Sequence, residues 1–121
     1  MIPKYRAWLD PDMYDEPVIH NGKFYLDWRD FEDGNTYDLA VLMQSTGLKD
    51  KNGVEIFEGD VVKLQYTITS DFELFEVRQF KGGMWRIDNR RRGSDLWLRN
   101  EGCEVIGNIY QNSELLESVE E

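Results

Sequence analysis

The chain has 121 residues and a formal net charge of −10 at pH 7, a length that predicts one globular domain over residues 1–121 with its own core. Because the chain has a single cysteine, an intrachain disulfide is excluded. Because it also has only one histidine, a zinc site made of cysteine and histidine alone is excluded as well. Because the sequence has no run of about 18 apolar residues and no apolar leader, we expect a cytoplasmic protein that spans no membrane.

The first third of the chain contains short strand patterns separated by turn residues. Residues 4–9, KYRAWL, alternate as a strand does. The pair Asn21-Gly22 predicts a tight hairpin between strands at 17–20 and 23–28, because both residues tolerate positive φ. Residues 30–38 are acidic and contain Gly34-Asn35, which predicts an exposed loop.

The segment TGLKDKNGVEIFEGDVV, residues 46–62, is rich in turn residues and follows a predicted buried strand at 39–45. It is not a Walker phosphate loop, because Gly53 is followed by valine and glutamate where lysine and a hydroxyl residue are needed. Counted from Asp50, it also lacks the glycine and glutamate that an EF-hand calcium loop requires at its sixth and twelfth positions. The segment therefore predicts turns between strands, at Asn52-Gly53 and around Gly59.

The C-terminal half continues the strand and turn pattern. Strands at 72–80 and 84–87 are joined at Gly82-Gly83, and a strand at 104–110 contains Gly107 as a possible bulge. Asn112 suits the N-cap of a short helix that runs toward the C-terminus. The pattern predicts a mainly β, β-rich α+β fold, with a small antiparallel barrel-like sheet and a short C-terminal helix.

Charge is distributed unevenly along the chain. Residues 78–99 hold seven basic and two acidic side chains, a local sum of +5, and the remaining seven basic and 22 acidic residues sum to −15. Trp85 and Trp97 flank the run Arg90-Arg91-Arg92, an arrangement that could bind single-stranded nucleic acid by phosphate contacts and base stacking. The alternative is an arginine-rich loop that pairs with acidic residues of its own or a neighbouring subunit, which the sequence pI near 4.5 favours.

Three segments give the chain a family resemblance. They are IPKYRAW at 2–8, LMQSTGLKDKNGVEIFEGDVV at 42–62 and VIGNIYQNSELLE at 105–117. Together these segments resemble the YopX family of phage and prophage proteins. The resemblance implies a mostly β fold with a small barrel-like core, a bacterial or phage origin and self-association. It implies no enzymatic activity, so no catalytic residue is carried over from the family.

We therefore expect a non-enzymatic phage or prophage accessory protein in the cytoplasm of a bacterial host. It would act as a self-associating, homo-oligomeric binding module in which segment 78–99 of one copy meets acidic loops of another. One alternative is nucleic-acid binding through the candidate contact residues, and another is an acidic decoy that occupies a host DNA-binding protein. The sequence predicts no catalytic, metal or cofactor site. The candidate contact residues are Trp85, Arg90, Arg91, Arg92 and Trp97.

Overall fold

The computed structural model describes residues 4–37, 39–80, 83–112 and 114–115. Its backbone forms two compact units, Met1–Ser45 and Thr46–Glu121. That residues 1–121 form one domain stays a prediction. The elements in chain order are β1 Tyr5–Leu9, β2 Asp12–Tyr14, β3 Val18–His20, β4 Lys23–Tyr25, α1 Trp28–Asp33, β5 Val41–Lys49, β6 Glu55–Phe57, β7 Asp60–Gln65, β8 Phe72–Gln79, β9 Trp85–Asp88, β10 Gly93–Asp95 and β11 Glu104–Asn108, with two 3-10 turns at Leu96–Leu98 and Asn100–Gly102.

The first unit is built from antiparallel strands. Strand β1 pairs with β2 on one side and with the first part of β5 on the other. The predicted hairpin is confirmed, since β3 and β4 pair antiparallel and both Asn21 and Gly22 have positive φ, at 50° and 77°. Its buried side chains include Ala7, Trp8 and Met43.

Helix α1 corrects the prediction of a loop at 30–38. The Asp27 carboxylate caps the helix by accepting a hydrogen bond from the Asp30 amide at 2.9 Å. Gly34 ends it in the left-handed conformation, and its amide donates to the carbonyl oxygens of Asp30 and Phe31. The residues Gly34-Asn35 are thus a helix stop rather than the middle of a loop.

The second unit contains a five-stranded sheet with strand order β10-β9-β8-β7-β11, in which each strand runs antiparallel to its neighbours. The sheet curls into a half-barrel, so the predicted barrel-like sheet is confirmed in this open form. The loop that carries Arg90, Arg91 and Arg92 is short, since Gly93 and Ser94 already belong to β10 and pair with β9.

One cluster of side chains forms the core of the second unit. Phe75 and Val77 point to it from β8, since they are fully buried and alternate with the more polar residues Glu76 and Arg78. At about 25 cal/mol per Å² of apolar surface, this burial is the main stabilising term for the sheet. The buried members are Ile56, Val62, Leu64, Phe75, Val77, Ile87, Leu96 and Cys103.

The turn at 50–54 is built around a buried carboxylate. Asp50 Oδ1 accepts hydrogen bonds from the amides of Asn52 and Val54, at 2.8 and 2.9 Å. Its Oδ2 accepts a third bond, from the Val105 amide at 2.8 Å. Gly53 supplies the positive φ of 80° that the turn needs. These bonds give the segment the architectural role that the sequence predicts.

The strand β11 and the residues after it complete the sheet edge. The pairing of β11 with β7 shifts register between Val105 and Gly107, so the predicted bulge is confirmed. The predicted C-terminal helix falls mostly on residues 113 and 116–121, outside the described residues. The α-helix that the structure describes is α1 in the first unit. In the described part of the chain, no helix is both long and apolar enough to cross a membrane.

Candidate binding groove

The basic segment 78–99 forms a surface groove on the second unit. We call it the arginine groove. It has a volume of about 620 Å³ and lies where β8 and β9 meet the loop that leads to β10. Four arginines and two carboxylates line it, a formal sum of +2 in a chain whose net charge is −10. Its lining residues are Glu76, Arg78, Asp88, Asn89, Arg90, Arg91, Arg92 and Gly93.

Asn89 fixes the loop that carries the arginine run. Its side-chain oxygen accepts hydrogen bonds from the backbone amides of Arg91 and Arg92, at 2.8 and 2.9 Å. The backbone amide of Asn89 donates to the Arg92 carbonyl at 3.0 Å. Its side-chain nitrogen donates to the Leu74 carbonyl of β8 at 3.1 Å. Asparagine suits this position because its short amide satisfies backbone groups two and three residues ahead. The loop backbone is therefore held to the sheet by hydrogen bonds within the chain.

Arg78 pairs with both carboxylates in the groove. The register of β8 and β9 places Glu76 directly opposite Asp88, and like charges in that position destabilise a sheet. The Arg78 Nε lies 3.3 Å from Glu76 Oε2 and 3.6 Å from Asp88 Oδ1. The carboxylate pair is thus part of an ion-pair network across the two strands, with an arginine between its members.

Three further arginines of the segment are engaged inside the second unit. Arg92 pairs with Glu73 at 3.2 Å, and its guanidinium lies 4.8 Å from the ring centre of Tyr66. Arg99 lies 4.3 Å from the same ring centre and donates to the Tyr66 carbonyl at 2.9 Å. Arg86 pairs with Asp95 at 2.9 Å. These side chains stabilise the fold and add little free positive charge to the surface.

Arg90 and Arg91 differ from the other arginines of the segment. Both are exposed on the loop held by Asn89. Within residues 4–37, 39–80, 83–112 and 114–115, no carboxylate or aromatic ring pairs with either guanidinium. Each carries five N–H donors in a planar fork that matches a carboxylate or a phosphate. Among the described residues, these two side chains are therefore the exposed guanidiniums of the groove without an ion-pair partner.

Neither tryptophan of the predicted contact set is among the residues that line the groove. Trp85 is half-buried and packs against the core cluster. It begins β9, four residues before Asn89, which corresponds to about 13 Å along an extended strand. Trp97 lies in the 3-10 turn at Leu96–Leu98 and is 67% exposed. The structure thus brings the three consecutive arginines together in the groove, and the contact role of all five residues stays a prediction.

The lone histidine and cysteine occupy separate environments. His20 ends β3 in the first unit, with its ring 5.3 Å from that of Phe31. Cys103 is fully buried in the core of the second unit, and burial raises the pKa of its thiol to about 11. A thiol with that pKa is protonated at neutral pH and is a poor nucleophile. Among the described residues, no three His, Cys, Asp or Glu side chains are grouped so as to hold a metal ion.

Sequence reasoning located the arginines but missed the residues that organise them. Asn89 carries the clearest signal, because an asparagine just after a strand and before three polar loop residues is typical of a side-chain-stabilised turn. Glu76 and Asp88 gave no such signal, because their proximity depends on the register of β8 against β9.

Comparisons with known proteins agree with this fold. The chain is 32% identical over 73 residues to the "SPbeta prophage-derived uncharacterized protein YopX" of Bacillus subtilis (strain 168), a match covering 55% of this chain and 54% of that protein. The match thus spans about half the length of that curated relative. The crystal structure of protein EF1440 from Enterococcus faecalis is similar, with a TM-score of 0.64, 29% identity and coverage of 96% of this chain and 99% of that chain.

A second crystal structure shows the same fold. Protein yopX from Bacillus subtilis is similar with a TM-score of 0.60 and 22% identity, over 93% of this chain and 96% of that chain. The YopX protein family itself matches residues 4–117, nearly the whole sequence. The chain therefore belongs to the YopX family.

Proposed function

We propose that this chain is a non-enzymatic prophage accessory protein that binds further copies of itself through the arginine groove. One observation carries the proposal. Arg90 and Arg91 are exposed on a loop that Asn89 holds in place, and no described carboxylate pairs with them. Outside residues 78–99 the same chain has a formal charge of −15, so a second copy offers an excess of carboxylate partners.

The geometry favours binding by these two arginines over a purely structural role. Because the loop backbone is fixed by side-chain and main-chain hydrogen bonds, less conformational entropy is lost when a partner binds. A guanidinium can hold a carboxylate with two parallel hydrogen bonds, which adds direction as well as strength. Both groups are exposed, so dissolved salt screens the interaction and weakens the association.

Sedimentation velocity on the full chain at low and high ionic strength tests the proposal. We expect oligomers at low salt that dissociate as salt is raised. The double variant Arg90→Glu/Arg91→Glu should shift the low-salt sample toward monomer, because it reverses both charges without touching Asn89 or the core.

A matched control changes the net charge by the same amount at other exposed positions. Lys49→Glu/Lys51→Glu replaces two exposed lysines outside the groove, and we expect it to keep the oligomers. A wild-type protein that sediments as a monomer at every ionic strength would refute the proposal. Equal loss of association in the two double variants would show an effect of net charge alone, and would also refute the groove as the contact.

A second candidate function is binding of single-stranded nucleic acid. It is favoured by the adjacent guanidiniums of Arg90 and Arg91, which pair with no carboxylate of the described residues. With two phosphate contacts, the logarithm of the binding constant should fall against the logarithm of salt concentration with a slope of about −1.4. Fluorescence titration with single-stranded oligonucleotides at several salt concentrations measures that slope. No binding at low salt, or binding that the arginine double variant leaves unchanged, would rule it out.

A further inference from the structure

The first unit exposes a cluster of aromatic rings around helix α1. The Phe31 ring lies 5.3, 5.2 and 5.4 Å, between ring centres, from those of His20, Tyr25 and Trp28. We call these four rings the aromatic face. Trp28 is 64% exposed, and α1 contains no buried residue. Trp28 is thus an exposed indole packed beside a half-buried phenylalanine ring, and tryptophan is enriched among the residues that dominate binding energy.

The aromatic face is formed before binding. A six-residue helix is not stable on its own in water, and here the Asp27 cap and the Gly34 stop fix its two ends. The β3–β4 hairpin supplies His20 and Tyr25, so two elements hold the four rings in contact. A binding surface of rigid rings loses little conformational entropy on association.

The charge around the aromatic face selects a cationic partner. Residues 27–34 contain four carboxylates and one arginine, a formal sum of −3. Glu32 and Asp33 are exposed, and no described cation pairs with either side chain. Exposed aromatic rings bordered by unpaired carboxylates suit a guanidinium, which stacks on a ring face while its edge donates to a carboxylate.

We propose that the aromatic face of one copy docks on the arginine groove of a second copy, with Trp28 seated beside Arg90 and Arg91. This inference rests on the proposed function and names the surface that the groove contacts. The groove volume of about 620 Å³ accommodates an indole side chain. Exposed ion pairs alone stabilise a complex weakly, and the burial of Trp28 supplies the apolar contribution that they lack.

Variants of the aromatic face test the inference by sedimentation of the full chain. Trp28→Ala should weaken self-association about 30-fold, as for a central interface tryptophan, and Trp28→Phe should weaken it less because a ring remains. Ile68→Ala removes an apolar side chain that is 93% exposed in the second unit, and it should have no effect. Circular dichroism and thermal unfolding establish that each variant is folded.

Charge exchange between the two surfaces gives an independent test. Glu32→Arg/Asp33→Arg and Arg90→Glu/Arg91→Glu should each abolish association alone, and an equimolar mixture of the two should associate. If the arginine variant loses association while both the Trp28 and the acidic variants keep it, the inference is overturned and the proposed function stands. If the wild-type chain never associates, both are overturned.

Discussion

The Asp50 carboxylate accepts a hydrogen bond from the Val105 amide at 2.8 Å, joining two backbone segments that are 55 positions apart. The same carboxylate holds its own turn through the amides of Asn52 and Val54. Asp50 is only 5% exposed, so these three N–H groups have little access to water as an alternative partner. One side chain thereby connects the turn at 50–54 to strand β11 at the edge of the half-barrel.

The first prediction is that Asp50→Asn destabilises the chain by about 2 kcal/mol. An asparagine keeps one acceptor oxygen but turns an NH₂ group toward the remaining backbone donors, which leaves at least one amide unpaired. Urea unfolding followed by circular dichroism measures the change in the free energy of unfolding. Asp71→Asn, the same substitution at an exposed position of the second unit, is the control and should change it by less than about 0.5 kcal/mol. Equal effects of the two substitutions would contradict the structural role of Asp50.

The second prediction concerns pH. Burial acts to raise the pKa of Asp50, but the hydrogen bonds from Val105, Val54 and Asn52, with the nearby charge of Lys51, outweigh it and lower the pKa. The folded state therefore binds this proton more weakly than the unfolded state does. The resulting stabilisation is present above the ordinary aspartate pKa of about 3.9 and is lost as pH falls through the lower, folded value.

The comparison of wild type with Asp50→Asn isolates this carboxylate from all others. The difference in their free energies of unfolding should be constant from pH 7 to about pH 5 and should shrink below about pH 4. Unfolding curves collected across that range measure it. A difference that grows on acidification would mean that the folded pKa is raised, which reverses the sign expected from the three amide donors.

The turns could be predicted from the sequence more readily than helix α1. They were also easier to predict than the identity of the arginines that have no ion pair in the described part of the chain, Arg90 and Arg91. The residue types at Asn21-Gly22 and Gly53 indicate positive φ directly, because few other residues tolerate it. Helix α1 was missed because its six residues are too few to show a helical period, and its signal lies in the caps at Asp27 and Gly34. Strand β10 was missed because glycine and serine are weak strand formers that pair here through the register with β9.

For the groove, the composition predicted a basic segment but not which of its arginines form ion pairs. The sequence shows seven basic residues at 78–99, and only the fold determines which of them meet a carboxylate. Arg78 is engaged because the β8–β9 register brings Glu76 and Asp88 beside it. Trp85 packs on the core because it shares a strand face with Ile87, which is fully buried. Such contacts between distant residues have no signature in a single sequence.

The third prediction is that Gly107→Ala destabilises the chain by about 1–3 kcal/mol. A Cβ at this position would overlap the Asn112 side-chain oxygen, which accepts a hydrogen bond from the Asn108 amide, and would lie 2.8 Å from Leu115 Cδ1, so both side chains would have to shift. Gly102→Ala is the control, since its Cβ would meet only Leu64 Cδ1 at 3.7 Å, an ordinary contact. Thermal unfolding of both variants measures the difference, and similar midpoints would contradict the close packing at the bulge.

The fourth prediction concerns Tyr66, whose ring lies within 4.8 Å of the Arg92 guanidinium and 4.3 Å of the Arg99 guanidinium. Its hydroxyl also donates to the Gly93 carbonyl, at a long distance of 3.3 Å. Tyr66→Phe removes the hydroxyl and keeps both arginine contacts, so we expect a loss of less than about 1 kcal/mol in the free energy of unfolding.

Tyr66→Leu removes the ring itself, and each of the two partly exposed cation–π contacts contributes about 0.5–1 kcal/mol. We therefore expect the leucine variant to be less stable than the phenylalanine variant by about 1–2 kcal/mol, measured by urea unfolding of both. Because Arg92 belongs to the groove loop and pairs with Glu73 as well, the leucine variant should keep its loop backbone and still associate at low salt. If the two variants were equally stable, the contacts of the ring with the two guanidiniums would contribute nothing to the free energy of unfolding, which contradicts the prediction.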